Sequence, residues 1–128
     1  MGVEFQISSG AININSACVG QGYSGDQQHF NQAQFCQLKG QGPIPPGVYS
    51  ILAPIDDPKL GPFALPLIAC PGTETFGRGG FFVHGDSAAQ NHTASHGCVI
   101  CDRPTREAIW AAVSTAFLAA DKLLTVIA

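Results

Sequence analysis

Alternation of apolar and polar residues opens the chain. VEFQIS (3–8) and AININS (11–16) flank a Ser9-Gly10 turn, the pattern of a β-hairpin. Residues 20–42, GQGYSGDQQHFNQAQFCQLKGQG, are rich in Gly and Gln and follow no period, which predicts a long loop with one helical turn around His29–Phe35. After the turn cluster GPIPPG, the β-branched and aromatic run VYSILA (48–53) reads as a strand. FALPLIA (63–69) is apolar but contains Pro66, which assigns it to a sheet edge or a bulge. GGFFVHG and CVIC are short runs suited to buried strands, and KLLTVIA closes the chain as another. One segment has helical periodicity. Asp102 is its N-cap, Pro104 falls in its first turn, and Glu107 brings an acid near its positive end. Ile109, Val113 and Phe117 form its apolar stripe. With no repeat and no linker, residues 1–128 are expected to form a single, mostly β domain with one amphipathic α-helix late in the chain.

Composition narrows the function classes. Only 12% of residues are charged, against a usual ~25%, so polar uncharged side chains must dress the surface. The net charge is −3 and the six basic residues are scattered, leaving no stripe for phosphates; nucleic acid is not an expected partner. No window approaches the roughly 18 apolar residues of a membrane span. The opening MGVEFQISSG has neither the basic nor the apolar region of a secretory signal peptide. The protein is therefore expected to remain in the cytosol or to leave by a route that needs no such peptide. Five cysteines are too few for a disulfide scaffold, and their odd number leaves at least one thiol unpaired within the chain.

The chemistry concentrates in FFVHGDSAAQNHTASHGCVICDRPTREAIW (81–110). Cys98 and Cys101 could form half of a zinc site completed by His84, Asp86, His92 or His96. On a strand, however, Cys98 and Cys101 face opposite sides, which disfavours a shared metal, a local disulfide and a dithiol redox pair alike. Cys101 is then a buried structural thiol. Cys98 instead follows Gly97, whose freedom lets adjacent backbone N–H groups converge on an oxyanion. His84 ends an apolar run and is expected at a strand end, within reach of a thiolate at Cys98 on a neighbouring strand. An inert buried cysteine and a core-edge histidine remain the competing reading.

ASHGCVI (94–100), with VHG upstream, resembles the signature of the L,D-transpeptidases of the YkuD type, and IPPGVYSI (44–51) is similar to their TPxGxYxI stretch. The segments GYSG (22–25), GPIPPGVY (42–49), FFVHGD (81–86) and ASHGCVI occur in the order found in short transpeptidase-like effectors of type VI secretion, the closer resemblance. The loop between His84 and Ser95 holds ten residues, shorter than in housekeeping relatives.

The resemblance implies a β-sandwich or barrel-like catalytic domain and a substrate, the tetrapeptide stem of peptidoglycan. Cys98 would be the nucleophile and His84 its base. Ser95, His96 and Gly97 would shape the turn, with N–H groups of His96, Gly97 and Cys98 holding the oxyanion. Asp86 would orient His84 or cap an Asx turn. Arg103, Arg106 or Arg78 would meet a substrate carboxylate or lie solvated on the surface. Tyr23 would line the pocket or pack. No cofactor is implied. An immunity protein is a further implied partner, and the periplasm of a target cell the place of action. Two rivals remain at this level. A papain-like Cys–His peptidase would put its cysteine at a helix start ahead of the histidine, the reverse of the order here. A zinc-stabilised binding module would use the same cluster without catalysis.

Overall fold

The computed structural model describes residues 2–86 and 95–128. The opening alternation becomes burial: Val3, Phe5 and Ile7 are buried and belong to the core. Strand β1 (Val3–Gln6) pairs antiparallel with β2 (Ala11–Ile14), Phe5 opposite Ile12, which is the expected hairpin. Asn15 and Ser16 both have positive φ, 49° and 70°, and this two-residue turn leads into β3 (Ala17–Gln21). After Gly22 comes the short β4 (Tyr23–Ser24). Strand β4 and the last two residues of β3 fall where the sequence predicted loop. Almost every residue of β3 is exposed, so it carries no burial pattern to read. The expected helical turn is the 3-10 turn Ala33–Phe35.

The remaining elements are β5 (Gly47–Ile51), β6 (Ile55–Asp57), β7 (Gly61–Ala69), β8 (Phe82–His84), β9 (Val99–Ile100), α1 (Arg103–Thr115) and β10 (Leu123–Ile127). They form one sheet in the order β3-β2-β1-β10-β5-β7-β8-β9-β4, with β6 added against β7. Strand β10 runs parallel to β1 and antiparallel to β5. The first and last strands of this order are consecutive in the chain, joined by Gly22, whose N–H donates to Gly10 O at 2.7 Å. A Cβ at Gly22 would come within 2.4 Å of Ile100 O, so only glycine fits the seam. The result is a mostly β, nearly closed barrel-like sheet with a single α-helix among the described residues, following β9.

Pro66 is not at an edge. It lies inside β7, opposite Phe82 of β8 on one side and beside β5 on the other. The N–H it lacks falls just past the end of β5, where Leu52 N–H donates to Pro66 O at 2.9 Å without a return bond being possible. Helix α1 starts as expected, the Asp102 carboxylate accepting from Thr105 N–H at 3.0 Å and Pro104 in the first turn. Its buried side is Thr105, Arg106, Ile109 and Val113. Phe117 is outside it and fully exposed, because Ala116 turns to an extended conformation and ends the stripe one turn early. Glu107 pairs with Arg103 at 3.2 Å, one turn apart on the same helix.

Candidate active site

The Cys98 turn is built on two buried serines. Ser95 Oγ accepts from Gly25 N–H at 2.9 Å and Gly97 N–H at 3.1 Å, and donates to Cys98 O at 2.7 Å. Ser24 Oγ accepts from Ile44 N–H at 2.8 Å and donates to Gly97 O at 3.2 Å. The segments GYSG, GPIP and SHGC, distant in sequence, therefore meet through hydroxyls that are fully enclosed. Gly97 has φ +136°, and a Cβ there would lie 2.3 Å from Arg78 Nη2. Since Gly97 N–H is engaged by Ser95, it is not a donor for an oxyanion as the sequence had suggested. His96 is exposed, its Nδ1–H donating to Gly40 O at 3.2 Å.

Half-buried Cys98 precedes β9, and its Sγ donates to Gly80 O at 3.8 Å. Burial pushes the Cys98 thiol above its ordinary range, against the pull of the Phe82 N–H and the Arg78 charge. Burial thus favours the thiol over the ionised sulfur expected from the sequence. Cys101 is three residues on and belongs to the core, where burial pushes its thiol up to about 12. All five cysteines are free.

Strands β8 and β9 are parallel neighbours, with Val83 opposite Val99 and His84 opposite Ile100. Continuing this register sets Cys98 beside Phe82, two positions before His84 on the neighbouring strand. No hydrogen bond joins Cys98 to His84. His84 Nδ1 instead donates to Gly85 O at 2.9 Å, which leaves Nε2 as the acceptor nitrogen. His84 is only 3% exposed, and burial, reinforced by the Arg106 charge, holds its pKa below the usual imidazole value.

Asp86 is not hydrogen-bonded to His84; Tyr23 OH donates to its Oδ1 at 2.6 Å. The buried Arg106 is not a surface charge. Its guanidinium donates to the carbonyls of Cys101, Phe63 and Pro62 at 2.6, 2.9 and 3.3 Å. Arg78 is likewise buried, donating to four carbonyls. Arg103 is exposed, 5.3 Å from the Phe63 ring centre and paired with Glu107.

Two cavities flank this region. One, of about 260 Å³, is lined by Cys98, Gly97, His96, Gly80, Arg78 and Lys39, with three basic side chains and no acid among the described residues. The other, of about 520 Å³, is lined by Tyr23, Asp86, Asp102, Arg103 and Arg106 among others. Lys39 and Ser24 went unnoticed in the sequence; GYSG was a usable signal for Ser24, whereas Lys39 lies in a segment without pattern. Among the described residues no three His, Cys, Asp or Glu side chains are grouped to hold a metal ion; His92, a ligand candidate, lies outside them. No helix among them is long and apolar enough to cross a membrane.

These features define a barrel-like β domain whose cysteine turn, fixed by two buried serines, opens into a basic cavity beside a strand-end histidine. The family model of the Tlde1 domain matches residues 19–120, from β3 through α1, and the chain belongs to that family of L,D-transpeptidase-like effectors of type VI secretion. No curated protein gives a significant match. The family is one of peptidoglycan-acting enzymes.

Proposed function

We propose that this protein is a cysteine-dependent L,D-transpeptidase or L,D-carboxypeptidase acting on tetrapeptide stems in the periplasm of a target cell, as an antibacterial effector. Cys98 Sγ attacks the carbonyl carbon at the L-centre of the third stem residue while its proton passes to His84 Nε2. The tetrahedral centre collapses to a thioester, and the terminal D-alanine leaves as the amine with the proton from His84. An incoming amine then takes the acyl group in exchange or cross-linking, or water takes it in hydrolysis. The observation that carries this reading is the Nδ1–H bond from His84 to Gly85 O, which fixes a neutral imidazole with Nε2 as the acceptor nitrogen on the strand beside the Cys98 turn. With Gly97 N–H engaged, the amides of His96 and Cys98 are the oxyanion donors in this scheme, each worth about 3–4 kcal/mol in the transition state. Lys39 and Arg78 give the cavity beside the sulfur the charge that a stem carboxylate needs.

Incubation with tetrapeptide muropeptides, followed by mass spectrometry, should show D-alanine released or exchanged. Cys98→Ala and His84→Ala should each abolish it with the circular dichroism spectrum unchanged. Turnover by Cys98→Ala at the wild-type rate would reject the covalent scheme.

A further inference from the structure

Arg78 belongs to no motif of the sequence, yet it connects the site. Its Nη1 donates to Cys36 O and Pro43 O, and its Nη2 to Gly42 O and His96 O. Three of these carbonyls belong to segment 36–43, which runs into the GPIPPGVY stretch; the fourth lies two residues before Cys98. Its ring neighbour is Phe81, 5.5 Å from the guanidinium carbon. Among the described residues no carboxylate pairs with this buried charge. A charge kept out of water without a counter-ion is unfavourable unless donors are fully used and something nearby gains from it. Gly97 is the complement of this arrangement, since any side chain there would collide with Nη2.

We propose that Arg78 is the positioning residue of the Cys98 turn: its fork ties the turn to segment 36–43, and its fixed positive charge favours negative charge developing at Cys98. This rests on the reading of Cys98 as the nucleophile. Arginine suits both tasks, because a planar fork meets several carbonyls at fixed angles, which an ammonium on a flexible stem does not. The Arg78 charge acts on Cys98 against the effect of burial. Among the described residues the other titratable groups near the sulfur are Lys39 and His96, which line the same cavity, and His84 on the neighbouring strand β8. All three are unchanged in the variants below.

The test is the rate of Cys98 carbamidomethylation by iodoacetamide against pH, read by peptide mass spectrometry in the full chain, beside turnover of tetrapeptide muropeptides. Arg78→Gln removes the charge and should raise the Cys98 midpoint by about one pH unit or more. Arg78→Lys keeps the charge and loses the fork; its midpoint should stay within about 0.3 unit while kcat/KM falls about tenfold, as expected when a reacting group is misplaced. An unmoved midpoint in Arg78→Gln, or undiminished turnover in Arg78→Lys, would overturn the proposal. Should Arg78→Gln fail to fold, Arg78→Lys decides alone: a midpoint displaced by a full unit counts against it as much as full turnover does. A wild-type protein that releases no D-alanine would defeat the proposed function, while the alkylation midpoints still decide whether the Arg78 charge acts on Cys98.

Discussion

Burial sets the protonation states at Cys98 and His84 before substrate arrives. The thiol is pushed up and the imidazole down, so in the proposed mechanism catalysis begins with proton transfer rather than from a standing ion pair. With the folded pKa of His84 below the ordinary ~6.5, Nε2 stays available as a base in mildly acidic solution. The acid limb of kcat/KM for D-alanine release should therefore lie below pH 6.5; a limb centred above 7 would contradict the assignment. The same shift has a stability consequence. Above pH 6.5 folded and unfolded chains are both neutral at this position. As pH falls through 6.5, the unfolded chain takes up a proton that the folded one resists, and stability is lost. Wild type should lose more Tm between pH 7.5 and 5.5 than His84→Gln does. At this scale Cys98, His84, Ser95 and Gly97 stood out in the sequence because they lie within one local stretch. The partners of Asp86, Arg106 and Arg78 were not. Tyr23 is 63 positions from Asp86, Phe63 is 43 from Arg106 and Gly42 is 36 from Arg78, and no local pattern encodes such pairings.

Elements with a buried face announced themselves, and elements without one did not. Strands β1, β5 and β10 each alternate buried with less buried positions, and each was legible. Strand β3 is exposed nearly throughout and β4 has two residues; both owe their state to a partner rather than to their own sequence. Pro66 misled for a related reason, since its effect depends on where the neighbouring strand stops. In α1 the start was legible and the end was not. Asp102 caps through a specific side-chain bond, whereas the C-terminus is set by Ala116, a residue with no stop signal of its own. Asp102→Ala should lower stability by about 1 kcal/mol, visible as a lower Tm in thermal denaturation. The capped turn also begins at the larger cavity, so Asp102→Asn, which keeps an acceptor, should recover most of the loss.

Closure of the whole molecule depends on one residue that no strand claims. Gly22 lets a continuous stretch of chain pair with β2 through β3 and with β9 through β4. A Cβ there would meet Ile100 O, a backbone atom that cannot swing aside, and Ile100 is the residue opposite His84. Gly22→Ala should thus destabilise by at least about 2 kcal/mol in urea unfolding and reduce turnover, because the seam and the site share β9. A mutant with wild-type stability would show that the seam relaxes elsewhere. The mostly β architecture was readable from the sequence, but the seam was not, since a lone glycine in a Gly-rich stretch looks like any other.

The placement of β10 between β1 and β5 makes one strand the bridge between two parts of the sheet. Without residues 123–127 the opening hairpin has no strand that joins it to β5 and the segments beyond. A variant lacking those residues should therefore be protease-sensitive along its whole length.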